Sequence, residues 1–291
     1  MTRTDAIGAA HEQCADRSSV RIVSLVPSLT ELLCDLGLAS AIVGRTGFCI
    51  HPAELVKDIA KLGGTKTVNV EKIRKLAPTH LVVNVDENEK PTVDALALFV
   101  PHVIVTHPKT PRDNLELYRL FGHVFACERE AQKLCARFEA AWSALEARRA
   151  TASRDERRVL YLIWKDPWMT IARDTYIAAM LALIDWKQVD VSDSITGGSV
   201  RYPAIDLAEA ARTAELVLLS SEPYRFTENH VAEVAAACSM RDRKPDVRLV
   251  DGEMLSWYGS RAIAGLEYLR RLADSGASRP PRESGDPETS L

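Results

Sequence analysis

The chain has 291 residues, 46% hydrophobic and 26% charged, with a formal net charge of -3, which is the balance of an ordinary globular protein. No basic block is present, so nothing favours nucleic acid or an anionic membrane surface as a partner, and neither is expected. No run of about 18 apolar residues exists to cross a bilayer, so the chain is not expected to be membrane-embedded.

At roughly 100–200 residues per domain, two units are expected. The first 20 residues, MTRTDAIGAAHEQCADRSSV, hold no basic start followed by about 7–15 apolar residues. On that ground a cytoplasmic location is expected, with a periplasmic one if the true start lies elsewhere. Cysteines stand at 14, 34, 49, 127, 135 and 238 without CxxC spacing, the pattern of free thiols in a reducing compartment.

Residues 1–19 are expected to be a disordered leader, and 20–126 a first α/β lobe. Its opening run, RIVSLVPSLTELLCDLGL, is a β-branched strand, a Pro-Ser turn and an amphipathic helix that stops near Gly37. AIVG is a second strand, followed by the loop RTGFCIHPAE. VNVEKIRKLAP is a helix with Asn69 as cap and Pro78 beyond its end. HLVVNV is a strand running into the acidic loop DENEK. HVIVTHP is another, closed by Pro108, and the helix RDNLELYRLFGHVF follows.

Residues 127–152 differ. No Gly or Pro interrupts CEREAQKLCARFEAAWSALEARRA. Ala131, Leu134, Phe138, Ala141, Trp142 and Leu145 recur at helical spacing, and the opposite face is charged. One helix of about 24 residues, roughly 36 Å long at 1.5 Å per residue, reads as a rigid connector.

A second α/β lobe is expected over 153–275. RRVLYLIW, ELVLLS and DVRLVD are its strands, and TYIAAMLALI, DLAEAARTA, ENHVAEVAAAC and SRAIAGLEYLRRLAD its helices. The tail 276–291 is nearly free of apolar residues and is expected to be disordered. The segment 70–87 is echoed at 205–222, where Glu87 falls on Glu222 and Glu71 on Asp206. Two similar lobes would produce that echo, as would chance likeness of two α/β units.

The stretches RIVSLVPSLTELLCDLGLASAIVGRT and LGGTKTVNVEKIRKLAPTHLVV, the His-Pro between them and the long mid-chain helix resemble the helical-backbone substrate-binding proteins of ABC importers. These include cobalamin-binding and ferric-siderophore-binding members. The resemblance implies a fold of two Rossmann-like α/β lobes joined by one long helix, with a metal chelate in the cleft between them. It also implies an ABC permease as partner, docked by one acid on each lobe. Glu71 stands at the first of these positions, and Asp206 at the second by the internal echo.

Ligands of open α/β sheets lie beyond the carboxyl ends of the strands. That rule selects Pro27 and Ser28, the loop with Phe48, the acids Asp86 and Glu87, and His107 in the first lobe. In the second it selects Trp164, Trp168, Glu222, Tyr224, Trp257 and Tyr258. Tyr202 is the further aromatic in the set, and flat faces with polar tips suit a macrocycle or aryl chelate. Each aromatic has the alternative of packing beneath its own loop. Arg201 and Arg261 could meet ligand carboxylates or phosphates, or stand as ordinary surface arginines.

Cys49 and His51 are the metal candidates, since thiolate and imidazole suit a transition ion. The alternative puts Cys49 in the core and His51 at a helix start. The chain lacks GxSxG, HExxH and GxxxxGK[ST], so no catalytic set is read and no cofactor is required. The expectation is a binding protein for a metal chelate, cobalamin or a related corrinoid or tetrapyrrole. The alternatives are a ferric-siderophore binder, or an intracellular carrier, sensor or enzyme of similar fold.

Overall fold

The computed structural model describes residues 2–151, 156–191, 200–238 and 244–276. The expected tail therefore lies, but for Gly276, outside the described residues.

The expected disordered leader is instead structured. β1 (Arg3–Thr4) and β2 (Ala10–His11) form an antiparallel hairpin. Its turn is organised by Asp5, whose side chain is buried. One carboxylate oxygen accepts from the Ile7 and Ala9 N–H groups at 3.1 and 2.9 Å. The other accepts from the Val105 N–H at 3.0 Å and faces the His11 ring at 3.1 Å. A buried acid so fully partnered fastens the hairpin to the first lobe. Composition does not reveal it.

The first lobe alternates strand and helix: β3 (Ile22–Ser24), α1 (Pro27–Asp35), β4 (Ile42–Arg45), α2 (Ala53–Val56), β5 (Ala60–Lys61), α3 (Val70–Lys75), β6 (His80–Asn84), α4 (Lys90–Ala97), β7 (His102–Thr106) and α5 (Asp113–Val124). The strands make one parallel sheet in the order β5-β4-β3-β6-β7. Parallel neighbours need crossovers, and the helices supply them. β6 is buried along its whole length, as a near-continuous apolar run requires between helical layers. α4 has no counterpart among the sequence expectations, although Pro91 in its first turn is a helix-start signal.

α6 (Glu128–Thr151) is the 24-residue connector. Beyond it come β8 (Arg157–Trp164), β9 (Met169–Thr170), α7 (Tyr176–Ala182), β10 (Trp186–Gln188), α8 (Leu207–Ala210), β11 (Leu216–Ser220), α9 (Glu228–Ala237), β12 (Asp246–Val250), α10 (Gly252–Ser256) and α11 (Arg261–Gly276). The parallel order is β10-β8-β11-β12, with β9 antiparallel against β8. Leaving aside the two-residue strands β5 and β9, both sheets run second, first, third, fourth in chain order. The sequence echo thus reflects two lobes of one plan.

The register of the echo needs correction. Asn69 caps α3 and Asp206 caps α8, so Asp206 corresponds to Asn69 and not to Glu71.

α6 packs on α5 from one lobe and α11 from the other. A single apolar cluster runs from Leu29 and Leu32 through Tyr118 and Phe138 to Tyr161, Leu181 and Leu266. A shared close-packed core restricts hinge motion between the lobes. No described helix is long and apolar enough to cross a membrane.

Candidate functional site

The carboxyl ends of the two sheets face each other, and side chains bridge them. From the turn between α10 and α11, the Tyr258 hydroxyl donates to Glu87 Oε1 at 2.5 Å. From the segment after β10, Arg201 Nη1 lies 2.9 and 2.8 Å from the two Asp86 oxygens. The same nitrogen donates to His107 Nε2 at 2.6 Å. Arg261, at the start of α11, forks onto Glu31 of α1 at 2.7 and 2.6 Å. Its third nitrogen meets Glu253 at 2.6 Å, and His51 stands 3.3 Å from the other Glu253 oxygen.

Local structure aims the two central acids. Past β6 the chain turns on side-chain amides. The Asn84 N–H donates to Asn88 Oδ1 at 2.9 Å, and the Asp86 N–H to Asn84 Oδ1 at 2.8 Å. Asn88 Nδ2 then donates to the Thr65 carbonyl at 2.9 Å. Asp86 and Glu87 are held at the crest of this locked turn. In the second lobe the Ser256 hydroxyl donates to Glu222 Oε1 at 2.5 Å. Gly252 makes the approach possible, since a Cβ there would sit 2.7 Å from Glu222 Cγ.

Burial is the largest force on both acids. It pushes Glu87 up to about 7, with the charges of Glu222 and Asp86 adding and the Tyr258 hydrogen bond opposing. Glu222 is likewise raised by burial, against hydrogen bonds from Ser256 and Trp257 and with the Glu253 charge adding. His107 is lowered, chiefly by burial, although Asp86 pulls the other way. A neutral His107 accepts from Arg201 through Nε2, consistent with their short contact.

The sequence-derived residues divide into groups. Asp86, Glu87, Arg201, Trp257, Tyr258 and Arg261 all meet across the lobes. Trp257 lies between the His51 ring, at 5.7 Å, and the Arg261 guanidinium, at 4.7 Å. Pro27 opens α1, and Ser28 is buried beside the Tyr258 phenol. Tyr202 is half-buried against the shared core.

Trp168 and Tyr224 instead support their own lobe. Trp168 stacks on Phe226 at 6.0 Å, and Tyr224 lies 4.7 Å from the same ring. The reason is an apolar cluster under the β8 and β11 tips that needs a roof.

Cys49 and His51 turn to different partners. Cys49 is fully buried, and burial pushes its thiol up. Its Sγ lies 3.1 Å from Thr46 Oγ1, while His51 faces Glu253. Among the described residues no group of three or more His, Cys, Asp or Glu is placed to hold a metal ion. Glu71 is exposed beside Arg74 at 3.8 Å. Asp206 is occupied in capping α8, accepting the Glu209 N–H at 2.8 Å.

Around this polar centre the tip loops carry exposed apolar residues. Phe48, Ile50, Val85, Trp164 and Val200 are all large, exposed and beyond the carboxyl end of a strand, or at it. Exposed apolar side chains are thus found at the strand tips of both lobes. Sequence reasoning missed Glu31, Asn88, Asn114, Tyr118 and Glu253. Asn88 lies in a tip loop and Glu253 in the short α10 just past the β12 tip, where position offered a signal. The others sit within helices and gain meaning only through partners more than a hundred residues away.

Residues 22–214 match the family described as Periplasmic binding protein. An uncharacterized ABC transporter substrate-binding lipoprotein, YvrC of Bacillus subtilis (strain 168), is 30% identical over 173 residues. That match covers 57% of this chain and 54% of YvrC, so the chain spans about half the length of this relative. Among solved structures, the periplasmic vitamin B12 binding protein BtuF of Vibrio cholerae superimposes with a TM-score of 0.71 at 18% identity. It covers 89% of this chain and 98% of BtuF. The apo periplasmic heme-binding protein RhuT of Roseiflexus sp. RS-1 gives 0.71 at 20%, covering 89% and 100%. At such identities the likeness is one of fold. These matches do not support the expected cytoplasmic location: the family is described as periplasmic and YvrC as a lipoprotein.

Proposed function

The chain belongs to the periplasmic binding protein family, and from that premise we propose that it is the substrate-binding protein of an ABC importer. It works outside the cytoplasmic membrane and carries a metal chelate, cobalamin or a related corrinoid or tetrapyrrole, between its lobes. The observation that carries this reading is that Phe48, Ile50, Val85, Trp164 and Val200 are exposed on loops at the carboxyl ends of the strands, the ends at which polar side chains join the lobes. Apolar walls with a few placed polar groups suit a bulky, flat-faced ligand. Entry requires the cross-lobe contacts to part, and the stiff α6 keeps that opening small.

The test is titration of the purified chain with cyanocobalamin, hemin and ferrichrome, followed by tryptophan fluorescence. Trp164 and Trp257 stand at the cleft, so saturable quenching by one chelate at micromolar concentration or below is expected. Indifference to all three would remove the reading. Preference for ferrichrome would favour the siderophore-binding alternative.

Docking to a permease by one acid on each lobe belongs to the same proposal. Glu71 keeps its place in it. Asp206 is engaged as a cap, and the exposed first-turn acid of α8 is Glu209, paired with its helix neighbour Arg212 at 3.1 Å. The double charge reversal E71K/E209K should leave chelate binding intact and abolish stimulation of the importer's ATPase. Unchanged stimulation would refute this docking pair.

A further inference from the structure

We propose that the cleft selects its ligand by charge: Glu87 and Glu222, at corresponding strand tips of the two lobes, admit neutral or cationic chelates bearing hydrogen-bond donors and turn away anionic ones. This rests on the chelate-binding reading above and narrows it.

The charged groups around the cleft are unevenly distributed. The first lobe presents Glu31 from α1, His51 after β4, Asp86 and Glu87 after β6, and His107 after β7. The second presents Arg201 after β10, Glu222 after β11, Asp251 and Glu253 after β12, and Arg261 on α11. Both arginines are already committed. Arg201 is held by Asp86 and by the Asp174 carbonyl at 2.9 Å, and Arg261 by Glu31 and Glu253. When the lobes part, Arg201 and Arg261 are released together with Asp86 and Glu31, so they add no net positive charge to the cleft.

Glu87 and Glu222 have neutral partners instead. Their donors are the hydroxyls of Tyr258 and Ser256 and the Trp257 side chain. A carboxylate offers about four acceptor sites, so capacity remains for amide, hydroxyl or ammonium donors on a ligand. The two acids also act on each other across the lobes, since the Glu222 charge raises Glu87.

Positive elements do not reverse this balance. The N-terminus of α1 contributes roughly half a positive charge, and Pro27 removes one of its N–H donors. Lys66, Lys109 and Arg225 stand on tip loops but are exposed, where water and salt screen them; Lys165 is paired with Glu233 at 2.6 Å, and Arg45, at the end of β4, is buried with its donors on the Val56 and Thr46 carbonyls. For a charge about 8 Å away at an effective dielectric near 20, one unit of ligand charge changes affinity on the order of 30-fold.

A matched series tests the inference. Ferrioxamine B is cationic, its N-acetyl derivative neutral and its N-succinyl derivative anionic, all with one chelate core. Cyanocobalamin, its monocarboxylic acid and the aminoethyl amide of that acid form a parallel series on a corrinoid. Measured at pH 8, above the value of about 7 to which Glu87 is pushed, the anion is expected to bind at least tenfold more weakly than the neutral member on whichever scaffold binds, and the cation as tightly or more tightly. The E87Q/E222Q variant should compress the series to within about threefold. Glutamine keeps the shape and the acceptor oxygen, and the unaltered protein by itself reads the charge preference if the variant does not fold.

Equal or tighter binding of the anion, or a preference that survives E87Q/E222Q in full, would overturn the inference and leave chelate binding standing. Failure of every member of both series, together with hemin, would instead remove the chelate reading on which the inference rests.

Discussion

The backbone N–H of Gly259 donates to Asn114 Oδ1 at 2.6 Å, so a side chain on the last helix of the first lobe grips the turn that carries Trp257 and Tyr258. The Tyr118 hydroxyl, one helical turn further along α5, donates to the Gly259 carbonyl at 2.8 Å. Both polar groups of one peptide position are thus fixed by the opposite lobe. Gly259 has φ of +81°, and a Cβ would sit 3.1 Å from the Ser28 carbonyl oxygen. The two lobes are riveted at the edge of the cleft.

Gly259→Ala should therefore destabilise the protein by about 2–3 kcal/mol. Left-handed backbone costs a non-glycine residue roughly 1–2 kcal/mol, and the crowded Cβ adds to it. Urea unfolding measures the difference. A loss below about 0.5 kcal/mol, on the scale of an ordinary surface change, would show that the turn is not held as described.

Arg261 is the charged counterpart of that rivet. It is 13% exposed and Glu31 15%, so truncation leaves two acids, Glu31 and Glu253, without their cation in a mostly dry setting. Arg261→Ala should cost about 2–4 kcal/mol, somewhat below the full cost of breaking a buried pair. Arg261→Lys should recover little, because an ammonium cannot fork onto Glu31 and reach Glu253 together. Full recovery by lysine in denaturant melts would contradict the bidentate geometry.

Much of the fold was legible because it rests on local signals. The β-branched strands, Asn69 as cap, Gly37 as helix stop and the uninterrupted 127–150 segment each act within a few residues. The acidic hairpin anchor was not legible, since Asp5 acquires its role only when Val105 arrives beside it. At the site, the strand-tip rule located Glu87 and Tyr258, and Arg201 was picked out by its charge alone, but their pairing was not legible. Trp168 and Tyr224 satisfied the same rule and pack on Phe226 instead, because a tip loop has an underside as well as an outer face. Glu31, Asn114 and Tyr118 escaped altogether: a polar residue inside a helix reads as solvated until its distant partner is known.

The Arg201 latch carries a pH dependence through His107. Burial lowers His107 below its usual 6.5, and its neutral Nε2 accepts from Arg201. Protonation replaces that acceptor with a second cation facing Arg201. A histidine with a depressed folded-state value contributes stability that is complete above pH 6.5 and lost as pH falls through the lowered value. Acidification below pH 6 should loosen the latch, seen as faster amide exchange around residues 85–88 and 200–204. In NMR titration His107 should titrate below 6.5. A value at or above that would exclude this mechanism.

Glu87 has the opposite sign. Its folded-state value is raised from the usual 4.5 to about 7, so the folded protein binds a proton that the unfolded chain releases. That contribution to stability is complete below pH 4.5 and is lost as pH rises through 7. Glu87→Gln removes the cost of ionising the buried acid while keeping the oxygen that accepts from Tyr258. The variant should match the parent near pH 4 and exceed it at pH 8 by about 1–3 kcal/mol. A shift of one pKa unit corresponds to about 1.4 kcal/mol, and the lower part of the range allows for water reaching a partly exposed group. Urea melts at the two pH values measure the gap. Equal stability at both would mean that the Glu87 carboxyl is hydrated in the folded protein, and that the acids at the lobe tips face open water rather than each other.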